Sequence, residues 1–214
     1  MLLGLTIVAL AVALGVPTVA AAPGASSAGC RTVQRPPPKN DAGQKAPKTK
    51  LDPRKKYDVT FTTNCGSFTI GLAVRTSPHV TASFFDLAKK GFFNRTIFHR
   101  IVPGFVIQGG DPTGSGSGGP GYSTVDRPPR TTVYRKYLAA MAKAGLEPPG
   151  TAGSQFFVDT GRATEQLTPD YAVLGTVYVG RKVVDLIGTF GNPNDQEGRP
   201  TRIVEILKTR VDVS

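Results

Sequence analysis

The stretch 97-IFHRIVPGFVIQGGDP-112 places one arginine, Arg100, inside an apolar run that continues into a glutamine and two glycines. Two parts of it, Ile97 to Ile101 and Phe105 to Gln108, have the composition of short strands. No thiol and no set of metal ligands lies beside the arginine. The stretch therefore predicts strands that hold a permanent positive charge next to apolar side chains.

The composition is that of a globular protein with one sizeable domain. The chain has 214 residues, of which 39% are hydrophobic and 19% are charged. It contains 25 Gly and 18 Pro but no Trp. The abundance of turn-forming residues favours a loop-rich β architecture over a helical bundle.

Local patterns on both sides of the opening stretch predict a mainly β domain over residues 57–214. Residues 57–74 alternate around Asn64-Cys65-Gly66, as in a β-hairpin. A helix is predicted from Ser77 as N-cap to Gly91 as its stop. The further predicted elements are strands at Leu138 to Met141, Gln155 to Asp159, Ala172 to Val177 and Thr201 to Thr209, and a helix at Arg181 to Ile187. Many short strands with two helices predict a closed antiparallel β-barrel capped by two α-helices.

The positive charge is concentrated before this domain. The formal net charge is +11, and residues 30–56 alone carry nine Lys and Arg against two Asp. This segment includes a Pro-Pro-Pro run and lacks apolar periodicity, so it is predicted to be an extended, solvent-exposed linker. No aromatic interleaving or recognition-helix pattern accompanies the charge, and we expect no nucleic-acid partner. The linker is instead interpreted as a solvated spacer, with an anionic envelope surface as a suitable contact.

The first 29 residues read as a targeting segment. An uncharged apolar run is followed by small residues, in which both Val19-Ala20-Ala21 and Ala20-Ala21-Ala22 fit a signal-peptidase site. The run from Leu2 to Ala22 is also long enough to serve as a membrane anchor. Both interpretations predict export, with the protein either anchored at the cell envelope or secreted. In an oxidising compartment Cys30 and Cys65 could form a disulfide, and two unpaired thiols are the alternative.

Several classes of chemistry lack the residues they need. No Ser or Cys stands in an exposed elbow next to a base, and His79 and His99 have no partners at metal-ligand spacing. The glycines of 109–121 are not followed by the Lys-Ser/Thr of a phosphate-binding loop, which favours a surface loop. These absences argue against a hydrolase, a metalloenzyme and a nucleotide-binding site.

The segments FHRIVPGFVIQGGDPTG, GSGG and GSQFF resemble the signatures of the cyclophilins, and the similarity extends over essentially all of residues 57–210. The resemblance implies a cyclophilin-like barrel and peptidyl-prolyl cis-trans isomerase activity without a cofactor. It also implies a monomer that acts on proline-containing peptides and on unfolded or exported proteins. The N-terminal segment and basic linker resemble those of exported or membrane-anchored cyclophilins of high-GC Gram-positive bacteria.

Carried over by position, the resemblance makes Arg100 the catalytic residue. It also implies ten substrate-binding residues, which form the proline pocket and the neighbouring groove and supply two polar side chains and a backbone contact. These are Phe105, Val106, Gln108, Gly116, Ala142, Lys143, Gln155, Phe157, Leu167 and Tyr171.

Three positions depart from the common family pattern. Lys143 stands where asparagine is usual, Gln166 where many eukaryotic members have tryptophan, and Tyr171 where histidine is common. The tryptophan helps to hold cyclosporin, so weak cyclosporin binding is the implied expectation. Lys143 and a lengthened loop at 145–153 also support an alternative function, a proline-peptide-binding module with little or no turnover.

Overall fold

The structure is a computed structural model that describes residues 29–195 and 197–214. The segment predicted to be a signal peptide or membrane anchor lies outside these residues, apart from Gly29. Within the two described ranges, no helix is both long enough and apolar enough to cross a membrane.

The described chain forms short strands, two α-helices and one 3₁₀ turn. The strands are β1 (Tyr57–Thr63), β2 (Gly66–Leu72), β3 (Thr96–Ile97), β4 (Arg100–Val102), β5 (Val106–Gly109), β6 (Thr124–Val125), β7 (Leu138–Met141), β8 (Thr151–Ala152), β9 (Phe156–Asp159), β10 (Val173–Val179) and β11 (Glu205–Val213). The helices are α1 (Pro78–Lys89) and α2 (Arg181–Gly188), and the 3₁₀ turn spans Ala163–Gln166.

Nine strands form one antiparallel sheet in the order β3-β11-β1-β2-β10-β7-β9-β5-β4. Its end strands, β3 and β4, are separated in the chain only by Phe98 and His99, so the sheet curls until its ends meet. The backbone N–H of Phe98 donates to the carbonyl of Val204 (2.9 Å), and that of Ile101 donates to Gly198 (2.7 Å). The prediction of a mainly β, antiparallel barrel with two α-helices is confirmed, with backbone continuity closing the gap between β3 and β4.

Aromatic side chains fill the inside of the curled sheet. Phe61, Phe68, Phe84, Phe93 and Phe156 are each at most 1% exposed. Their ring centroids approach to between 4.7 and 6.1 Å, in stacked, tilted and edge-on pairs. Each buried phenyl group contributes about 1.5–3 kcal/mol of transfer free energy, so this core fixes the barrel on which the surface groups stand.

The predicted bounds differ from the structure most clearly in two strands. The run predicted as Ile97 to Ile101 is split between β3 and β4, because Phe98 turns into the core while its N–H bonds to Val204. The last strand was predicted at Thr201 to Thr209 but begins at Glu205 and continues to Val213. Its length is set by pairing with β1, in which Tyr57 lies opposite Val213.

The predicted linker is extended, and its first part is attached to the barrel. We call residues 30–44 the arm. Its first residue, Cys30, is joined to Cys65 by a disulfide with an S–S distance of 2.08 Å, and Pro36 is buried against the domain. Most residues of the arm are solvent-exposed, as expected, but the arm is also attached to the barrel, because several of its backbone and side-chain groups find partners there. Farther along, the N–H of Lys56 donates to Ser214 (2.7 Å) and that of Ser214 to Lys56 (3.1 Å), which extends the pairing of β1 with β11.

Helix α1 begins where predicted, but its cap comes from elsewhere in the chain. The Asp126 carboxylate accepts hydrogen bonds from the backbone N–H groups of His79 and Val80, both at 2.7 Å, and from the His79 ring at 2.8 Å. The Ser77 hydroxyl has no partner among the described residues. A carboxylate at a helix N-terminus satisfies two N–H groups and also interacts favourably with the helix dipole.

Replacing Asp126 with alanine should lower the free energy of unfolding by about 1–2 kcal/mol, because two backbone donors lose their acceptor. Urea denaturation measures this loss. Ser77→Ala is the matched control and should not lower stability, because it removes a buried hydroxyl that has no hydrogen-bond partner among the described residues. Equal losses in the two variants would contradict the assignment of Asp126 as the cap.

Candidate active site

Three strands present one polar and aromatic row on the outer face of the barrel. Arg100 of β4 lies opposite Gln108 of β5, and Gln108 lies opposite Phe157 of β9. Because side chains alternate along a strand, these three point to the same face. Their sequence neighbours Ile107 and Val158 point the other way and are fully buried in the core. The alternation thus separates the core from a surface site on the same strands.

A second, smaller apolar cluster lies on this outer face. Val106, Tyr134, Ala140 and Phe157 form its buried part. Its edge encloses a pocket of about 120 Å³, which is far smaller than the clefts of roughly 300–1,000 Å³ that accept drug-sized ligands. The pocket therefore suits one small apolar ring. Nine of the eleven predicted catalytic and substrate-binding residues line it: Arg100, Phe105, Val106, Gln108, Ala142, Lys143, Phe157, Leu167 and Tyr171.

Tyr134 fixes the segment that carries one wall of the pocket, and sequence reasoning missed it. Its hydroxyl donates to the backbone carbonyl of Tyr171 (2.7 Å) and accepts from the Tyr171 N–H (2.9 Å). The ring of Tyr171 then packs edge-on against Phe157, with centroids 5.4 Å apart. Burial raises the pKa of Tyr134 to about 12, so its hydroxyl stays protonated and keeps both hydrogen bonds.

Arg100 brings a charge to the rim without a carboxylate beside it. The side chain is half-buried, and it forms no ion pair within the described ranges. Its guanidinium carbon lies 5.8 Å from the centroid of the Phe105 ring. Burial lowers the pKa of Arg100, but a guanidinium remains protonated in proteins. The donors of the group are therefore available to a ligand in the pocket.

Two glutamine amides connect Arg100 to the neighbouring loop. Arg100 Nη1 donates a long hydrogen bond to Gln108 Oε1 (3.5 Å), and Gln108 Nε2 donates to Gln155 Oε1 (3.1 Å). Gln155 Nε2 in turn donates to the carbonyls of Gly116 (2.8 Å) and Gly118 (3.0 Å). The two glycines belong to residues 110–121, which we call the glycine-rich loop. This series of contacts holds both glutamines in place without a group that titrates near neutral pH.

A second cavity of about 460 Å³ adjoins the pocket and shares Gln108, Ala142 and Lys143 with it. Gly116 and Gln155, the two remaining predicted residues, line this cavity. The structure thus brings all eleven positions into one groove. Gly116 has φ of 92°, a conformation that favours glycine, so this wall depends on a residue without a side chain.

The Lys143 side chain lies at the junction of the two cavities and holds the loop that follows it by hydrogen bonds. Its ammonium group donates to the carbonyls of Ala144 (3.2 Å), Gly145 (3.4 Å) and Glu147 (2.9 Å). The Ala144 N–H donates to the Glu147 carboxylate at 2.6 Å. The side chain that replaces the common asparagine therefore shapes the groove edge from within the loop.

Asp159 lies under the pocket, and the sequence analysis assigned it no role. It is fully buried opposite Val106, and neither carboxyl oxygen has a hydrogen-bond partner among the described residues. Burial raises the pKa of Asp159 to about 8. The period of two along β9 was the available signal, since it places Asp159 on the same face as Phe157.

A raised pKa makes folding less favourable as pH rises, because the unfolded chain loses this proton first. Protonated Asp159 contributes its full stabilisation of the folded state below the ordinary pKa of 3.8. As the pH rises from there to about 8, this stabilisation is lost progressively. In this window the free energy of unfolding should fall by up to about 1.4 kcal/mol per pH unit. Denaturation of wild type and Asp159→Asn at several pH values tests this, because the variant should lose that part of the slope. The same slope in both proteins would refute the prediction.

Residues 58–211 match the family model for cyclophilin type peptidyl-prolyl cis-trans isomerase/CLD. The chain is 37% identical over 158 residues to peptidyl-prolyl cis-trans isomerase-like 1 of Emericella nidulans, covering 72% of this chain and 94% of the relative. It is 42% identical over 140 residues to the probable peptidyl-prolyl cis-trans isomerase A of Mycobacterium leprae, covering 64% and 74%. A cyclophilin type isomerase from Cryptosporidium parvum, crystallised in the presence of the dipeptide Ala-Pro, matches with a TM-score of 0.65 and 31% identity over 72% of this chain and 98% of that one. The chain therefore belongs to the cyclophilin-type peptidyl-prolyl cis-trans isomerases.

Proposed function

We propose that this isomerase turns Xaa-Pro bonds in the groove between Arg100 and Phe157, with Arg100 as the catalytic residue. The observation that carries the proposal is a guanidinium without an ion-pair partner in the described ranges, placed at the rim of a small apolar pocket. Proline-containing segments of unfolded proteins are the proposed substrates. The Ala-Pro dipeptide present with the Cryptosporidium relative supports this substrate class.

The reaction must overcome the resonance of the amide bond, a barrier of about 18–20 kcal/mol. An Xaa-Pro bond populates both isomers, and unaided interconversion takes tens to hundreds of seconds. When the bond is perpendicular, the nitrogen lone pair is no longer shared with the carbonyl. A fixed cationic donor binds this state more strongly than the planar one, and so accelerates rotation without forming a covalent bond.

Each group in the groove has a part in this scheme. The apolar walls from Phe105, Phe157 and Leu167 hold the proline ring while the rest of the amide turns. Gln108 orients the guanidinium and can donate to a substrate carbonyl. Arginine suits the task because it keeps its charge at any physiological pH and presents several donors in a rigid plane.

Two further properties of the site are part of the proposal. The backbone N–H and C=O of Lys143 have no hydrogen-bond partners among the described residues, so both can pair with a peptide backbone. Gln166 lies exposed at the end of the 3₁₀ turn, next to Leu167, and offers cyclosporin no aromatic surface. We therefore propose weak cyclosporin binding.

Replacing Arg100 with alanine should lower kcat/KM for an Xaa-Pro peptide by about 10²–10³-fold, the usual effect of removing one donor aimed at the transition state. A protease-coupled isomerisation assay measures the rate, and calorimetry with a non-cleavable peptide shows whether binding survives. Arg130→Ala, which removes an exposed arginine outside the groove, is the charge-matched control and should keep full activity.

Two results would contradict this assignment. Full activity in the Arg100 variant would remove Arg100 from the mechanism. Peptide binding by the wild type without any acceleration would support the alternative of a binding module with little turnover.

We also propose that the protein is exported and assists the folding of exported proteins. The apolar N-terminal segment and the Cys30–Cys65 disulfide support this, since disulfides persist in oxidising compartments. Mass spectrometry of the protein isolated from its native cells should find it in the envelope or medium with the bridge intact. A start after residue 21 or 22 would indicate a cleaved signal, and a retained N-terminus would indicate an anchor. Purely cytoplasmic protein with two reduced thiols would contradict the proposal.

A further inference from the structure

We propose that the arm is a positioning element for the reaction, which holds the glycine-rich loop in place and thereby sets the affinity for peptide residues that flank the proline. The inference rests on the proposed function, because it assigns the adjoining cavity to the peptide chain on either side of the proline ring.

The arm contacts the glycine-rich loop at three separate points. Arg35 Nη2 donates to the carbonyl of Gly114 at 2.6 Å. The backbone N–H of Lys39 donates to Pro112 at 2.9 Å, and that of Gln44 donates to Pro120 at 3.0 Å. The contacts lie near the start, the middle and the end of the loop, so together they restrain the whole loop against the barrel.

The glycine-rich loop is held by hydrogen bonds and not by regular secondary structure. It contains no helix or strand, and glycines with positive φ, among them Gly114, Gly116 and Gly121, give its backbone wide conformational freedom. Its internal hydrogen bonds run to the Asp111 carboxylate, from the Thr113 N–H and hydroxyl and the Gly116 N–H, and among Thr113, Ser115 and Ser117. External hydrogen bonds therefore contribute a large share of the order of this wall.

The loop is connected to the reaction site through Gln155. The carbonyls of Gly116 and Gly118 hold the Gln155 amide, and Gln155 holds Gln108 beside Arg100. The proline pocket, Arg100 and Gln108 are carried by β4, β5 and β9, whose backbones are fixed by pairing with one another and do not depend on the loop. Displacement of the loop should therefore alter the groove beside the pocket more than the pocket.

The disulfide keeps the arm close to the loop. Cys30 is bound to Cys65 at the turn between β1 and β2, and Arg202 donates to the carbonyl of Cys30 at 2.9 Å. Only four residues separate Cys30 from Arg35. A short tether raises the effective concentration of the groups it carries, so the weak arm contacts persist together while the bridge is intact.

Removing one clamp tests the proposal. Arg35→Ala should raise KM about five-fold for a peptide with several residues on each side of one proline, the effect expected from losing one hydrogen bond. Its kcat, and its kcat/KM for a blocked Ala-Pro dipeptide, should stay within about two-fold of wild type. Arg31→Ala is the control, because it removes an exposed arginine of the arm whose side chain makes no hydrogen bond or ion pair in the described ranges.

Removing the tether is a second, independent test. Cys30→Ser combined with Cys65→Ser should raise KM for the long peptide by at least as much as Arg35→Ala. Dithiothreitol, which reduces the bridge to two thiols as it is itself oxidised, should do the same to wild type. Hydrogen exchange at the amides of residues 113–119 should become faster in both variants, while exchange in β5 and β9 stays unchanged.

The outcomes separate this inference from the proposed function. If wild type accelerates isomerisation but Arg35→Ala and the double serine variant match Arg31→Ala for both substrates, the arm has no positioning role. A fall in kcat for the dipeptide in either variant would also overturn it, because the arm would then act on the pocket itself. A wild type without turnover would instead refute the proposed function.

Discussion

The site depends on the alternation of side chains along three short strands. Each strand sends one set of residues into the aromatic core and the other set to the pocket, so the two clusters share the same backbone. Ile107 and Gln108 are adjacent in sequence but belong to opposite faces of β5. A shift of one residue in register would bury the polar row and expose the core, and the large apolar free energy at stake makes the register firm.

Because the strand register is fixed, the strands can hold a charged group in a defined place at the rim of the pocket. A guanidinium in a half-buried position loses part of its hydration, and at Arg100 the partial replacements are a glutamine oxygen and an aromatic face. Both are neutral, so the charge is not cancelled before a ligand arrives. Because the strands hold these groups in advance, little reorganisation is required when the amide twists.

Much of the fold and most of the groove could be predicted from the sequence, because their signals are local. The β1–β2 hairpin and both helices follow from spacing and from turn residues, and the groove residues follow from a strong family pattern. Features that depend on distant partners could not be predicted: the extent of β11 is set by pairing with Tyr57, and α1 is capped by Asp126, which lies 47 residues beyond His79. The arm belongs to the same class, since a Pro-rich basic segment looks like a spacer until its partners are known.

The mutual hydrogen bonds between Lys56 and Ser214 place the two ends of the barrel domain side by side. The chain could therefore begin and end at another point of the barrel without changing how its strands and helices are arranged. A circularly permuted domain, in which a short connection runs from residue 214 to residue 57 and new termini open in the exposed loop around Leu146, would retain every strand pairing of the barrel.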